Sequence, residues 1–89
     1  MRAIVTVIGT DRVGIIASIC TLLSKYNVNI LDISQTILQN CFTMVMLVDC
    51  SGCTISFADL ALALKAQGQE MELAVRIQRE DIFEAMHRI

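Results

Sequence analysis

The fold class this sequence predicts is α+β: a four-stranded antiparallel sheet with two helices on one face and a short C-terminal helix. Three observations predict it. The apolar period switches between two and three-to-four along the chain, giving strand, helix, strand, strand, helix, strand and then a tail. The first and third strand runs are apolar on both faces, as central strands are. The second and fourth each carry a polar face, as edge strands do. A ferredoxin-like βαββαβ sandwich is the economical arrangement of that order. The expectation is one domain over residues 1–89, with the core in 1–79 and a helical tail in 80–89.

Residues 2–8 read RAIVTVI, with Ala3, Val5 and Val7 on one face and Arg2, Ile4, Thr6 and Ile8 on the other. β-branched residues dominate, which marks a strand. The next stretch, Gly9-Thr10-Asp11-Arg12-Val13-Gly14, is a strand-to-helix turn. Gly9 lets the chain turn sharply, and Asp11 is placed as the cap of a helix over residues 11–25. Ile15, Ile16, Ile19, Leu22, Leu23 and Tyr26 form the buried stripe of that helix. Asn27 or Asn29 supplies the left-handed residue that ends it.

Residues 29–39 form the second strand, with Leu31, Ile33, Gln35 and Ile37 on one face and Ile30, Asp32, Ser34, Thr36 and Leu38 on the other. Asn40-Cys41 is placed as a tight turn. The third strand, 42–49, alternates Phe42, Met44, Met46 and Val48 against Thr43, Val45 and Leu47. After a loop from Cys50 to Cys53, Ser56 is placed as an N-cap, with Asp59 at the capping-box position and Ile55 stapling onto Leu60. The second helix runs to about Gln67, with Phe57, Leu60, Ala61 and Leu64 inward and Gly68 as its stop. Residues 69–79 alternate cleanly, with Met71, Leu73, Val75 and Ile77 inward. The tail carries Ile82, Phe83, Met86 and Ile89 at helical spacing. It suits either the open sheet face of Ile4, Ile8, Val45 and Leu47 or a contact between chains.

Composition narrows the function. Hydrophobic residues make up 55% and charged residues 18%, too apolar for a sphere of 89 residues to hide alone, so a partner chain is expected. An aromatic share of 4%, a net charge of −2 and a pI near 5.1 argue against nucleic-acid binding. No apolar run reaches the roughly 18 residues of a membrane span, and the cytoplasm is the expected compartment. No nucleophile, paired-carboxylate or phosphate-loop constellation is present, so no catalysis and no cofactor are expected. Cys50 and Cys53 make one C-x-x-C, half of a four-ligand zinc site. His87, in the tail, reads as a solvated residue.

The turn at 9–14 is the stretch best suited to a ligand. A glycine in the first helical turn leaves the backbone open to close approach, and free N–H groups with an arginine beside them suit a carboxylate. A capped turn with no ligand is the plainer reading of the same residues.

The stretch GTDRVGIIASICTLLSKYNVNILDISQT resembles the signature region of an ACT domain. The resemblance rests on the acid-base-x-Gly turn, the apolar helix after it and the Asn-Val-Asn-Ile entry to the second strand. Where ACT domains often carry proline before the second glycine, this chain has Val13. The segments ISQT at 33–36, FTM at 42–44 and IFEAM at 82–86 are similar to a small stand-alone bacterial and archaeal ACT group. That group is related to the regulatory protein of the glycine cleavage system. The resemblance implies a non-catalytic regulatory module that binds a small ligand, such as an amino acid, at a homodimer interface. It implies contacts from Asp11, Arg12, Val13, Gly14 and Ile15 of one chain and from Asn27, Asn29 and Ile30 of the facing chain. Two other readings stand beside it: a module that regulates a transcription factor or enzyme by protein contact alone, and a thiol or metal carrier using Cys50 and Cys53.

Overall fold

The computed structural model describes residues 1–81. Its elements are β1 (Arg2–Thr10), α1 (Ile15–Lys25), β2 (Asn29–Leu38), β3 (Cys41–Asp49), α2 (Phe57–Glu70) and β4 (Leu73–Arg79). The strands form one antiparallel sheet in the order β2-β3-β1-β4, so β1 and β3 are central, as their two-faced apolarity requires. The predicted tail helix falls outside the described residues from residue 82 onward, and His87 with it.

Alternation places one side chain of each pair under the helices. Ala3, Val5, Val7, Phe42, Met44, Met46, Val48, Leu73 and Val75 are buried there against Ile15, Ile19, Leu23, Leu60 and Leu64. Among the described residues this core holds no buried polar or charged side chain. Its stability rests on apolar burial and close packing.

Local signals place most of the ends. The Ser56 hydroxyl accepts from the Asp59 N–H at 3.1 Å, as a capping residue should. Ser56→Ala is expected to cost about 1 kcal/mol in a chemical denaturation midpoint; an unchanged midpoint would mean that water replaces the cap. Asn27 takes the left-handed conformation, φ 60, that ends α1.

Four expectations are corrected. Asp11 does not cap α1: Gly14 holds the N-cap position at φ 93, and no side chain caps the helix. Gly9 is not a bend but lies within β1, opposite Phe42 and Leu73. A Cβ there would stand 2.4 Å from Leu73 Cδ2, so glycine makes room for that side chain. Gly68 does not stop α2, which continues to Glu70; the left-handed residue is Glu72 at φ 57. The hairpin between β2 and β3 turns at Gln39-Asn40, with Gln39 at φ 56, and Cys41 already belongs to β3. One further shift comes from a bulge between Ile30 and Asp32. It moves Ile30, opposite Val48, onto the helix-covered face that Ile33 and Ile37 also share, instead of the Asp32 face.

Candidate functional site

The 11–14 turn leaves β1 beside the β2–β3 hairpin. The Asp11 N–H donates to the Asn40 carbonyl at 2.8 Å. Arg12 Nη1 donates to the Met71 carbonyl at 2.9 Å, so its guanidinium sits at the C-terminal end of α2, where a cation complements the helix dipole. Asp11, Arg12, Val13 and Gly14 are all exposed, while Ile15 is buried in the core. Nothing lies within 4 Å of where a Gly14 Cβ would stand. The Ser18 N–H closes the first helical bond onto the Gly14 carbonyl at 2.9 Å. The N–H groups ahead of it meet no side-chain cap and no acidic residue in the first turn. This end of α1 thus presents open backbone donors to anything that approaches.

The second segment, Asn27 to Ile30, lies at the opposite end of the sheet. Asn29 is opposite Asp49, and Asp49 is opposite Arg2 at the start of β1. The β1 strand separates that end from Thr10, and nine residues of strand span roughly 27–30 Å. One chain therefore does not bring Asp11–Ile15 and Asn27–Ile30 together.

A cleft of about 560 Å³ runs along the second segment, lined by Ser24, Asn27, Asn29, Ile30, Asp49 and Gly52, among others. Asn27 Nδ2 donates to the Gly52 carbonyl at 3.0 Å, and the Thr54 N–H donates to the Tyr26 carbonyl at 3.0 Å. The Cys50–Cys53 loop is thereby fastened to the α1–β2 turn. Sequence reasoning passed over Asp49 and Gly52 here. A turn at Gln39-Asn40 alone sets Asp49 opposite Ile30, and the bulge between Ile30 and Asp32 brings it opposite Asn29.

Asp49 is held as a carboxylate. The Ser51 hydroxyl and N–H donate to its Oδ1 at 2.6 and 2.9 Å and hold its pKa below the ordinary value, with the chain's terminal ammonium and Arg2 adding to the effect. A depressed folded pKa contributes stability that is present above the unfolded value, near 3.9, and lost as pH falls below it. Asp49→Asn is expected to flatten the acid limb of a stability-against-pH curve below about pH 4. An acid limb as steep as that of the parent would assign the loss to other carboxylates.

The cysteine pair gains little support. The Cys53 N–H donates to the Cys50 carbonyl at 3.0 Å in a turn. Burial, then the neighbouring Cys53, pushes the Cys50 thiol up, away from the thiolate that nucleophilic or metal chemistry needs. Among the described residues no three His, Cys, Asp or Glu side chains group as a metal site. No helix among them is long and apolar enough to cross a membrane.

A four-stranded β2-β3-β1-β4 sheet with two helices in the βαββαβ order defines the ferredoxin-like class of small α+β domains. The ACT-domain family model matches residues 2–78, and the chain belongs to that family. It is 52% identical to a UPF0237 protein of Methanocaldococcus jannaschii over 88 residues, covering 99% of this chain and 98% of that one. Its fold matches the ACT domain protein from Streptococcus pneumoniae with a TM-score of 0.82 at 39% identity, over 94% of each chain. It also matches a protein described as a glycine cleavage system transcriptional repressor, with a TM-score of 0.73 at 25% identity, over 86% of this chain and 44% of that one.

Proposed function

We propose that this chain is a non-catalytic regulatory module that binds an amino acid between two copies of itself. The observation that carries the reading is the uncapped N-terminus of α1 beside the β2–β3 hairpin, at the end where β2 leaves the sheet edge. The edge is long and apolar: Leu31, Ile33, Ile37 and Leu38 are all exposed on it. Pairing β2 with a second β2 about a two-fold axis at Gln35 sets Ile33 against the partner's Ile37, and the reverse. The same axis sets Ile30 against the partner's Asn40, whose carbonyl holds Asp11 in each chain. The separation of the two candidate segments within one chain then becomes a juxtaposition across the pair. Helix N–H groups from Gly14 onward take the ligand carboxylate. Asn27 and Asn29 of the facing chain offer side-chain oxygens to an ammonium.

Thermal unfolding with each common amino acid at millimolar concentration tests the reading. At least one is expected to raise the melting temperature, since a ligand at 100 times its Kd adds about 2.7 kcal/mol. No stabilisation by any of them removes the proposal. Cys50→Ser/Cys53→Ser is expected to leave the amino-acid response intact, whereas loss of a bound metal or of function in that variant would favour the thiol or metal carrier.

A further inference from the structure

The connection from β3 to α2 opens on a four-residue turn, Cys50-Ser51-Gly52-Cys53. The Cys53 N–H donates to the Cys50 carbonyl at 3.0 Å. A turn closed by that bond holds its first and fourth Cα atoms within about 7 Å, and a disulfide spans about 4.4–6.8 Å between Cα atoms. Both side chains meet the same core: Cys50 is buried in it, and Cys53 packs against it half-buried. They are near enough for the charge of one thiol to bear on the other. The other two cysteines stand apart. Cys41 begins β3 and lies roughly 27–30 Å along that strand from the pair, and Cys20 is in the interior of α1.

We propose that Cys50 and Cys53 are a reversible disulfide site that clasps this loop onto the α1–β2 turn. The half-exposed Cys53 thiolate attacks a small-molecule disulfide, RSSR; one thiolate leaves and a mixed disulfide forms on Cys53. The Cys50 thiolate then attacks the Cys53 sulfur, the mixed bond breaks and the second thiolate leaves. Both thiol protons end on RSH, so the pair is oxidised and RSSR reduced by the same two electrons. Burial holds the Cys50 thiol protonated, which disfavours it as the first nucleophile. Its attack is intramolecular, however, and the high effective concentration offsets the scarcity of thiolate. In reverse, a reductant reaches Cys53 first and must expel Cys50, a slow leaving group because its pKa is raised. The bond is therefore retained once formed, as a switch requires and a thiol-transfer catalyst does not.

Closure acts on a loop that is weakly held. Ser51 and Gly52 are exposed, and the fastening rests on the Asn27 Nδ2 bond to the Gly52 carbonyl and the Thr54 N–H bond to the Tyr26 carbonyl, each 3.0 Å. Exposed bonds of this kind contribute little net stability, so the loop opens locally. The disulfide ties its outer end to buried Cys50 and opposes that opening. Asn27 and Asn29, proposed above to face the ligand, are steadied with it; that consequence rests on the ligand reading, whereas the thiol chemistry does not.

Equilibration of the folded full chain with glutathione disulfide, followed by alkylation and peptide mass mapping, tests the proposal. The expected result is a Cys50–Cys53 disulfide free of glutathione, while exposed Cys41, far from the pair, keeps a glutathione adduct. Cys50→Ser is expected to leave the adduct on Cys53. Amide exchange at the Thr54 N–H, followed by NMR, is expected to slow roughly 10-fold in the disulfide form. A lasting glutathione adduct on Cys53 of the parent, a pair still reduced after Cys41 has reacted, a disulfide that includes Cys20, or equal Thr54 exchange in the two forms overturns the proposal. Amino-acid stabilisation enters none of these readouts, so failure of the ligand reading leaves them standing.

Discussion

Gly68→Ala is expected to destabilise the domain by about 1–3 kcal/mol, even though alanine favours a helix interior over glycine by about 1 kcal/mol. Gly68 is buried in the last turns of α2, where the helix crosses the start of β4. A Cβ at this position would stand 2.7 Å from Val75 Cγ2 and 2.9 Å from the Leu73 carbonyl oxygen. The valine methyl can rotate away, but the carbonyl belongs to a strand held in register with β1 from Leu73 to Arg79. Gly9 admits the Leu73 side chain from the other side, so β4 cannot retreat without opening that contact as well. Either α2 tilts or β4 shifts, and both disturb a core packed close to solid density. Urea unfolding measures the effect. Ala66→Gly, at an exposed position of the same helix, isolates the propensity term and is expected to lose about 1 kcal/mol. A Gly68→Ala variant more stable than its parent would show that α2 and β4 approach less closely than these distances require.

The two glycines also show where sequence reading stops. The strands, the α1 stripe apart from Ile16, which is exposed instead of buried, the Ser56 cap and the central placement of β1 and β3 depend on neighbours a few residues away, and those neighbours are visible in the chain. Gly9 and Gly68 read locally as a bend and a helix stop because those are the local uses of glycine. Their actual reason is Leu73 and Val75, whose proximity exists only once α2 has packed on the sheet. The start of α1 moved for a related reason. Asp11 is a good local cap, but its N–H is taken by Asn40, which keeps β1 extended to Thr10 and delays the helix to Ile15. Of the candidate site, both segments were legible as residues. Their separation to opposite ends of the sheet follows from strand direction, and so it was available from the predicted topology. The fastening of Asn27 to Gly52 was not, because a loop carbonyl leaves no trace in side-chain pattern.

Under the proposed β2–β2 pairing, Ile33→Asp/Ile37→Asp is expected to convert the chain to a monomer, raising the Kd of that dimer by at least roughly 100-fold, or about 2.7 kcal/mol. Both residues lie on β2 with 40% and 50% of their surface exposed, so the isolated fold should tolerate the change with little loss. Across a two-fold axis at Gln35 each new carboxylate faces another from the partner chain, twice over. Like charges directly opposite oppose pairing, and the edge can no longer cover its apolar side chains. Because Asp11–Ile15 and Asn27–Ile30 lie at opposite ends of one chain, the monomer is left with two half-sites. Amino-acid stabilisation should therefore vanish with the dimer, although neither substituted residue belongs to the candidate ligand contacts. Light scattering at micromolar concentration reads the first effect and the thermal response reads the second. A variant that stays dimeric puts the interface elsewhere. A monomer that still responds to an amino acid places the whole ligand site within one chain, either at the 560 Å³ cleft beside Asn27, Asn29 and Asp49 or at the uncapped start of α1.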